Sequence, residues 1–363
     1  MAEIKNRPEC NIPEPITRDY RWLNSGVMVQ RNNATRRLGF IESENLDPLY
    51  AGIGNIIGMP IDRLVIDIMR RGTVDYFNNL LPPEARGMVR QSVQGPDVVA
   101  DFMVTMGQLN GFGKYKVMDI HYEGDKDGHT IVRINEPFSL LLCVGSTTGG
   151  CEVVSDSPHE ASYQEISTGV IEIKAYISEH GDELEGRMPI RGYNHRDGDI
   201  DLERCATCGG PAALSGFDWL LDRGMIVNNQ TRRRMAMIGP EAQDPLFEEL
   251  EKELGATIPA AVVEAQRRFI KTGFYSIEEV SDEGDFRTQL ALRGMGNLRE
   301  ISLGAKGLRM HIDNTAGYLM IVGLAQALFE MAFNMNSHVE WELSEEGDLE
   351  VEVTPERLME SVS

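Results

Sequence analysis

The sequence predicts an α+β protein built as two tandem copies of one unit, each an antiparallel sheet packed with helices. Three observations carry this. Asp47, Pro48, Leu49, Gly58, Val65, Arg70 and Arg71 recur 197 positions later, without a gap, as Asp244, Pro245, Leu246, Gly255, Val262, Arg267 and Arg268, the signature of an internal duplication. The matched span has helix punctuation, whereas the segments around it have the alternation and turn residues of half-buried strands. Finally, 363 residues at 42% hydrophobic and 25% charged suit two soluble domains, each long enough to bury its own core. The copies are bounded as 1–210 and 211–363.

Each copy opens with a hairpin. Val27 to Val29 turns through Arg31-Asn32-Asn33 into Arg36-Arg37-Leu38, and Met225 to Val227 turns through Asn228-Asn229 into Arg232 to Met235. Asparagine tolerates the left-handed backbone of tight turns. The arginines read as strand-edge charges rather than anion ligands. Two helices follow: Asp47 and Asp244 are expected to cap the first, with Pro48 and Pro245 in its first turn and Gly58 and Gly255 at its end. Pro60 and Pro259 begin the second.

The next pair of segments, Leu109 to Lys116 and Leu292 to Arg299, each carry Gly-x-Gly. A dinucleotide fingerprint needs a third glycine at the mouth of a helix, so a glycine turn is the better reading. Hairpins over 117–134 and 300–312 come next, then a long helix in each copy, expected over Tyr163 to Ile177 and Tyr318 to Phe333. Closing hairpins are expected around Asp197 to Glu203 and around Glu346 to Glu352, where Val339, Trp341 and Leu343 alternate with acidic residues.

A formal net charge of -22 and a pI near 4.8 argue against nucleic acid, because phosphate binding needs a basic footprint. The apolar run Tyr318 to Phe333 is interrupted by Gln326 and Glu330 and is shorter than the roughly 20 residues of a spanning helix, so no membrane span is expected. Met1 to Cys10 has no apolar signal core, and the expected location is cytoplasmic. Five cysteines in such a chain do not make a disulfide framework.

The copies differ where the cysteines lie. The first carries a glycine-rich stretch from Cys143 to Cys151, read as an inserted loop, and ends in Cys205-Ala206-Thr207-Cys208-Gly209-Gly210. Cys-x-x-Cys-Gly is the knuckle of tetrahedral metal sites, because two thiolates at that spacing reach one ion while glycine admits the tight turn. Cys143, Cys151, Cys205 and Cys208 could close one site, with Glu203 as an alternative oxygen ligand. A redox dithiol and inert core thiols are the competing readings. Zinc is favoured by frequency over an iron–sulfur cluster, since four thiolates suit both.

This order of elements, with Asp313-Asn314 before the helix from Gly317 to Phe333 and a hairpin from Val339 to Val353, resembles the 4-vinyl reductase domain, also called the predicted hydrocarbon-binding domain. The resemblance implies the α+β fold that this family shares with vesicle-tethering subunits, and a ligand site for small apolar or aromatic molecules between sheet and helices. It also implies a structural zinc held from the loop before the long helix and from a glutamate and cysteines after the closing hairpin, which corresponds to Cys143 or Cys151, Glu203, Cys205 and Cys208. Family members dimerise through helices, and the duplication imitates such a dimer.

The leading functional expectation is therefore a hydrophobic or aromatic small-molecule binding protein with a cysteine-ligated metal. Eighteen methionines accord with it, since the thioether adapts to irregular apolar ligands. The alternatives are a metal- or thiol-dependent enzyme acting on an aromatic or tetrapyrrole-like substrate, with His159, ahead of His195 and His121, as the acid or base, and an accessory subunit with a protein partner or homodimer. No nucleophile elbow, phosphate loop or zinc-protease helix is present in the sequence, so the balance leans away from an enzyme.

Overall fold

A computed structural model describes residues 4–80, 95–122, 128–178, 192–276 and 282–356. The first copy runs α1 (Glu14–Asp19), β1 (Tyr20–Trp22), β2 (Met28–Gln30), β3 (Asn33–Glu42), α2 (Leu46–Ile57), α3 (Asp62–Leu80), α4 (Gly95–Asn110), β4 (Lys114–His121), β5 (His129–Asn135), α5 (Leu140–Ser155), β6 (His159–Ser167) and β7 (Val170–Ile177). The second runs β8 (Phe217–Leu220), β9 (Met225–Asn228), β10 (Arg234–Ile238), α6 (Pro240–Leu254), α7 (Ile258–Phe269), α8 (Glu283–Leu292), β11 (Asn297–Gly304), β12 (Gly307–Asp313), α9 (Tyr318–Phe333), β13 (Ser337–Leu343) and β14 (Leu349–Pro355). The α+β class is as the sequence predicts.

Among the described residues all strand pairing is antiparallel. Each copy owns a four-stranded sheet, β4-β5-β7-β6 or β11-β12-β14-β13. The opening meanders fuse into one six-stranded sheet, β1-β2-β3-β10-β9-β8, in which β3 pairs with β10 from Met235 opposite Glu42 to Ile238 opposite Gly39.

The copies are docked reciprocally. The Gly-x-Gly segments are turns, with Gly111 and Gly113 at φ of 79° and 117° and Gly294 and Gly296 at 72° and 126°. Each turn meets the other copy's meander: the Gly113 amide donates to the Gly224 carbonyl and the Gly296 amide to the Gly26 carbonyl. A Cβ on Gly224 would stand 2.1 Å from the Gly113 carbonyl oxygen, so only glycine fits this approach.

Arg37 and Arg234 are not strand-edge charges. Arg37 is buried and donates to the carbonyls of Gly294, Asn314 and Thr315, while Arg234 donates to those of Gly111, Glu136 and Pro137. A fork of five N–H donors satisfies several orphan carbonyls at once, which lysine cannot do. Each arginine thus clamps its own strand to the partner copy's sheet.

Two expectations about the first copy are corrected. The segment Tyr163 to Ile177 lies in the hairpin β6–β7, and the long helix is α5, the stretch read as a cysteine-bearing loop. Asp197 to Glu203 forms no strand; it is an extended strap in which Asp199 meets Arg287 and Arg299, and Leu202 is buried. The match holds through the glycine turns and the β4–β5 and β11–β12 hairpins; it slips only after β5, because a glycine-rich helix reads as an insert and the elements after it are displaced by one.

Asp47 also acts differently from expectation. Helix α2 begins at Leu46, and the Asp47 carboxylate instead accepts from the Ser139 hydroxyl and the Leu140 amide at the start of α5. The main core lies between the helices of both copies and the inner faces of the four-stranded sheets, including Leu46, Leu49 and Ile53 of α2 and Val262 and Val263 of α7. Each such side chain contributes about 1.5–3 kcal/mol by leaving water. A second core covers one face of the six-stranded sheet, with Trp22, Phe40, Phe217 and Trp219 at its centre.

Candidate functional site

The metal knuckle expected at Cys205 and Cys208 has a twin. Asn6 bridges Pro13 as Arg204 bridges Pro211. The Arg7 amide donates to Ile12 and the Asn11 amide to Arg7, just as Cys205 donates to Gly210 and Gly209 to Cys205. Asn11 at φ 57° stands where Gly209 stands at 71°. Both copies therefore open on one knuckle, and the Cys-x-x-Cys turn begins the second copy's structural unit rather than closing the first.

The twin knuckles face one another. Sulfur atoms of Cys10, Cys205 and Cys208 all lie within 4.8 Å of each other, and all three residues are half-buried. Backbone amides of Cys208 and Thr207 point at the Cys205 sulfur and lower its pKa to about 7, as hydrogen bonds to a thiolate do. Burial, the largest influence on Cys10, raises its pKa. Three thiols so arranged could hold a metal ion.

Sequence reasoning missed Cys10. A signal was present: Cys10-Asn11-Ile12-Pro13 matches Cys208-Gly209-Gly210-Pro211. It is obscured because Arg7 stands where the other knuckle has Cys205.

The other expected ligands do not join this group. Cys143 and Cys151 are buried in α5, where Tyr115 donates to the Cys143 sulfur and Cys151 contacts Thr130 and Tyr122. Burial pushes both thiols up to about 11, so they are protonated near neutrality. Glu203 precedes the knuckle, but its carboxylate lies outside the sulfur cluster, and its carbonyl accepts from Ala212.

His159 is buried at the start of β6, and burial lowers its pKa. Its Nδ1 faces the Ser157 carbonyl, which only accepts, so the proton sits on Nδ1. That leaves Nε2 to accept from the Tyr122 hydroxyl. Both ring nitrogens are engaged in holding β6, which suits a structural histidine better than a proton shuttle.

Apolar space borders α4 of the first copy and reaches β10 and α6 of the second. A cleft of about 1100 Å³, open to solvent, runs between α3, α4 and the six-stranded sheet, where Met69, Met103, Met106 and Met237 meet Phe77, Phe102 and Phe112. A second, smaller apolar hollow, open to solvent, lies between α4, α5 and the β4–β5 hairpin, against Thr147, Gly150 and Cys151. Met103 and Tyr115 line both. Among the described residues, no helix is long and apolar enough to cross a membrane.

No family profile matches the chain, and no curated protein matches it. Among solved structures, a Cs H-NOX mutant carrying 4-cyano-L-phenylalanine matches at 14% identity and a TM-score of 0.26, over 35% of this chain and 79% of that one. An Ile-to-Phe mutant of T. Tengcongensis H-NOX matches at 15% identity and a TM-score of 0.24, over 34% and 76%. Likeness at that level carries no argument about this chain.

Proposed function

We propose that this chain binds a hydrophobic or aromatic small molecule in the cleft between α3, α4 and the six-stranded sheet, and that a zinc ion at the twin knuckles ties the two copies together. The observation that carries the ligand reading is the cleft lined by four methionines and several aromatic rings. Its mostly apolar and aromatic lining suits a small-molecule site, and soft thioethers accommodate irregular apolar shapes. The resemblance to the 4-vinyl reductase family supports the same class of ligand, between sheet and helices.

Zinc is supported by the donor geometry. One tetrahedral ion about 2.3 Å from each sulfur sets sulfurs roughly 3.8 Å apart, compatible with three atoms mutually within 4.8 Å. A cluster would interpose its own sulfides and push the cysteines farther apart.

Solvent extraction and mass spectrometry of the purified protein, with thermal-shift screening against aromatics and hydrocarbons, tests the ligand. The expected result is a co-purifying apolar molecule or a clear rise in melting temperature. Recovery of nothing, with no shift across the panel, overturns the reading.

A further inference from the structure

Resting on the reading of the twin knuckles as a metal centre, we infer that the centre is open: three protein thiolates hold the ion and a fourth position belongs to an exchangeable external ligand. Two opposed knuckles with two ligands apiece make a closed four-thiolate site. Here the second knuckle supplies Cys205 and Cys208, but the first supplies only Cys10, because Arg7 occupies the position equivalent to Cys205. A guanidinium has no lone pair to offer a metal.

The arginine is also directed elsewhere. It donates to the Thr17 hydroxyl at 2.9 Å and reaches the Glu14 carbonyl at 3.5 Å, both on α1. Among the described residues, no histidine, aspartate or glutamate joins the three sulfurs. An ion that prefers four ligands therefore completes its shell from solution, and half-burial of the cysteines leaves it access. The class of ligand is a small monodentate donor: water, exchangeable for imidazole or a low-molecular-weight thiol. Structural zinc sites are closed, whereas an open position is what allows a site to bind or sense a further molecule.

Cobalt(II) titration of the full chain tests this, with imidazole as the probe. The unaltered protein is expected to take up one ion, with sulfur-to-cobalt charge transfer of three-thiolate intensity and d–d bands that move on adding imidazole. In Arg7→Cys the charge transfer should rise by about one third, in proportion to the thiolate count, and the imidazole response should vanish. Cobalt bound with d–d bands unmoved by imidazole overturns the open position while leaving the metal centre standing. Failure to bind cobalt or zinc overturns both, and the imidazole titration of the unaltered chain decides the matter even if Arg7→Cys does not fold.

Discussion

Helices α5 and α9 occupy the same place in their copies, yet one borders empty space and the other fills it. Their register is fixed by a shared ion pair, Arg70 with Glu152 and Arg267 with Glu330, which also receives the backbone amide of His159 or Ser337. On that register Thr147, Gly150 and Cys151 correspond to Ala325, Leu328 and Phe329. Phe329 is fully buried, whereas the small side chains of α5 border the void beside β4–β5. One fold has thus been kept twice while the volume inside it was adjusted at a few helix positions.

The largest expected effect concerns the shared pair. Removing one partner of a buried ion pair leaves an uncompensated charge, so Arg70→Ala should cost roughly 3–5 kcal/mol in urea denaturation. Arg267→Ala leaves Lys271 on Glu330 and should fall at the lower end of that range. Equal costs would show that the second cation contributes nothing to the comparison.

Next in size is the exchange of volume. Cys151→Phe, copying Phe329, should fill the α5 void and cost about 1–3 kcal/mol by overpacking, while the ligand-induced thermal shift of the neighbouring cleft persists. Loss of the ligand response would move the ligand from the cleft into the α5 void.

The smallest effect separates Asp47 from Asp244. Asp47 accepts two hydrogen bonds at the start of α5, but α9 has Gly317 where α5 has Ser139, and Asp244 is left fully buried, where the Arg37 charge and the Gly317 amide only partly offset the loss of water. Burial raises its pKa to about 7. The folded state therefore holds a proton that the unfolded state, titrating near 4, has lost, and stability falls as pH rises from about 4 to about 7. Asp244→Asn should flatten that slope, gaining stability at pH 8 and none at pH 4. Denaturation midpoints that stay parallel across this range in both proteins would refute the assignment.

Much of this was legible in the residues. The duplication, the paired helices, the glycine turns and the Cys205–Cys208 knuckle all have local signatures. Helix α5 did not, because Gly145, Thr147, Thr148, Gly149 and Gly150 are poor helix formers in isolation. Tertiary packing overrides that preference: a Cβ on Gly145 would lie 2.6 Å from the Ile66 carbonyl oxygen, and one on Gly149 2.3 Å from that of Arg70. The glycines are there so that α5 can sit directly on α3. Helix α9, rich in leucine and alanine, was read correctly for the converse reason.

The cleft was illegible for a different cause. Its methionines come from α3, α4 and β10, so no sequence window contains it. Buried Arg37 was unreadable because its acceptors are backbone carbonyls of the other copy, more than two hundred residues away.

The knuckles have one more consequence. Strands β1 and β8 are the two outer strands of the six-stranded sheet, and each is met by the knuckle of the opposite copy: Asn6 donates to the Trp219 carbonyl and Arg204 to the Trp22 carbonyl. The cysteine cluster is thus a clasp on a belt whose ends would otherwise offer bare carbonyls to passing chains. Unfastening it exposes two strand edges together, and unprotected edges recruit other strands. Chelation should therefore announce itself first as self-association, detectable by light scattering, before any loss of helix.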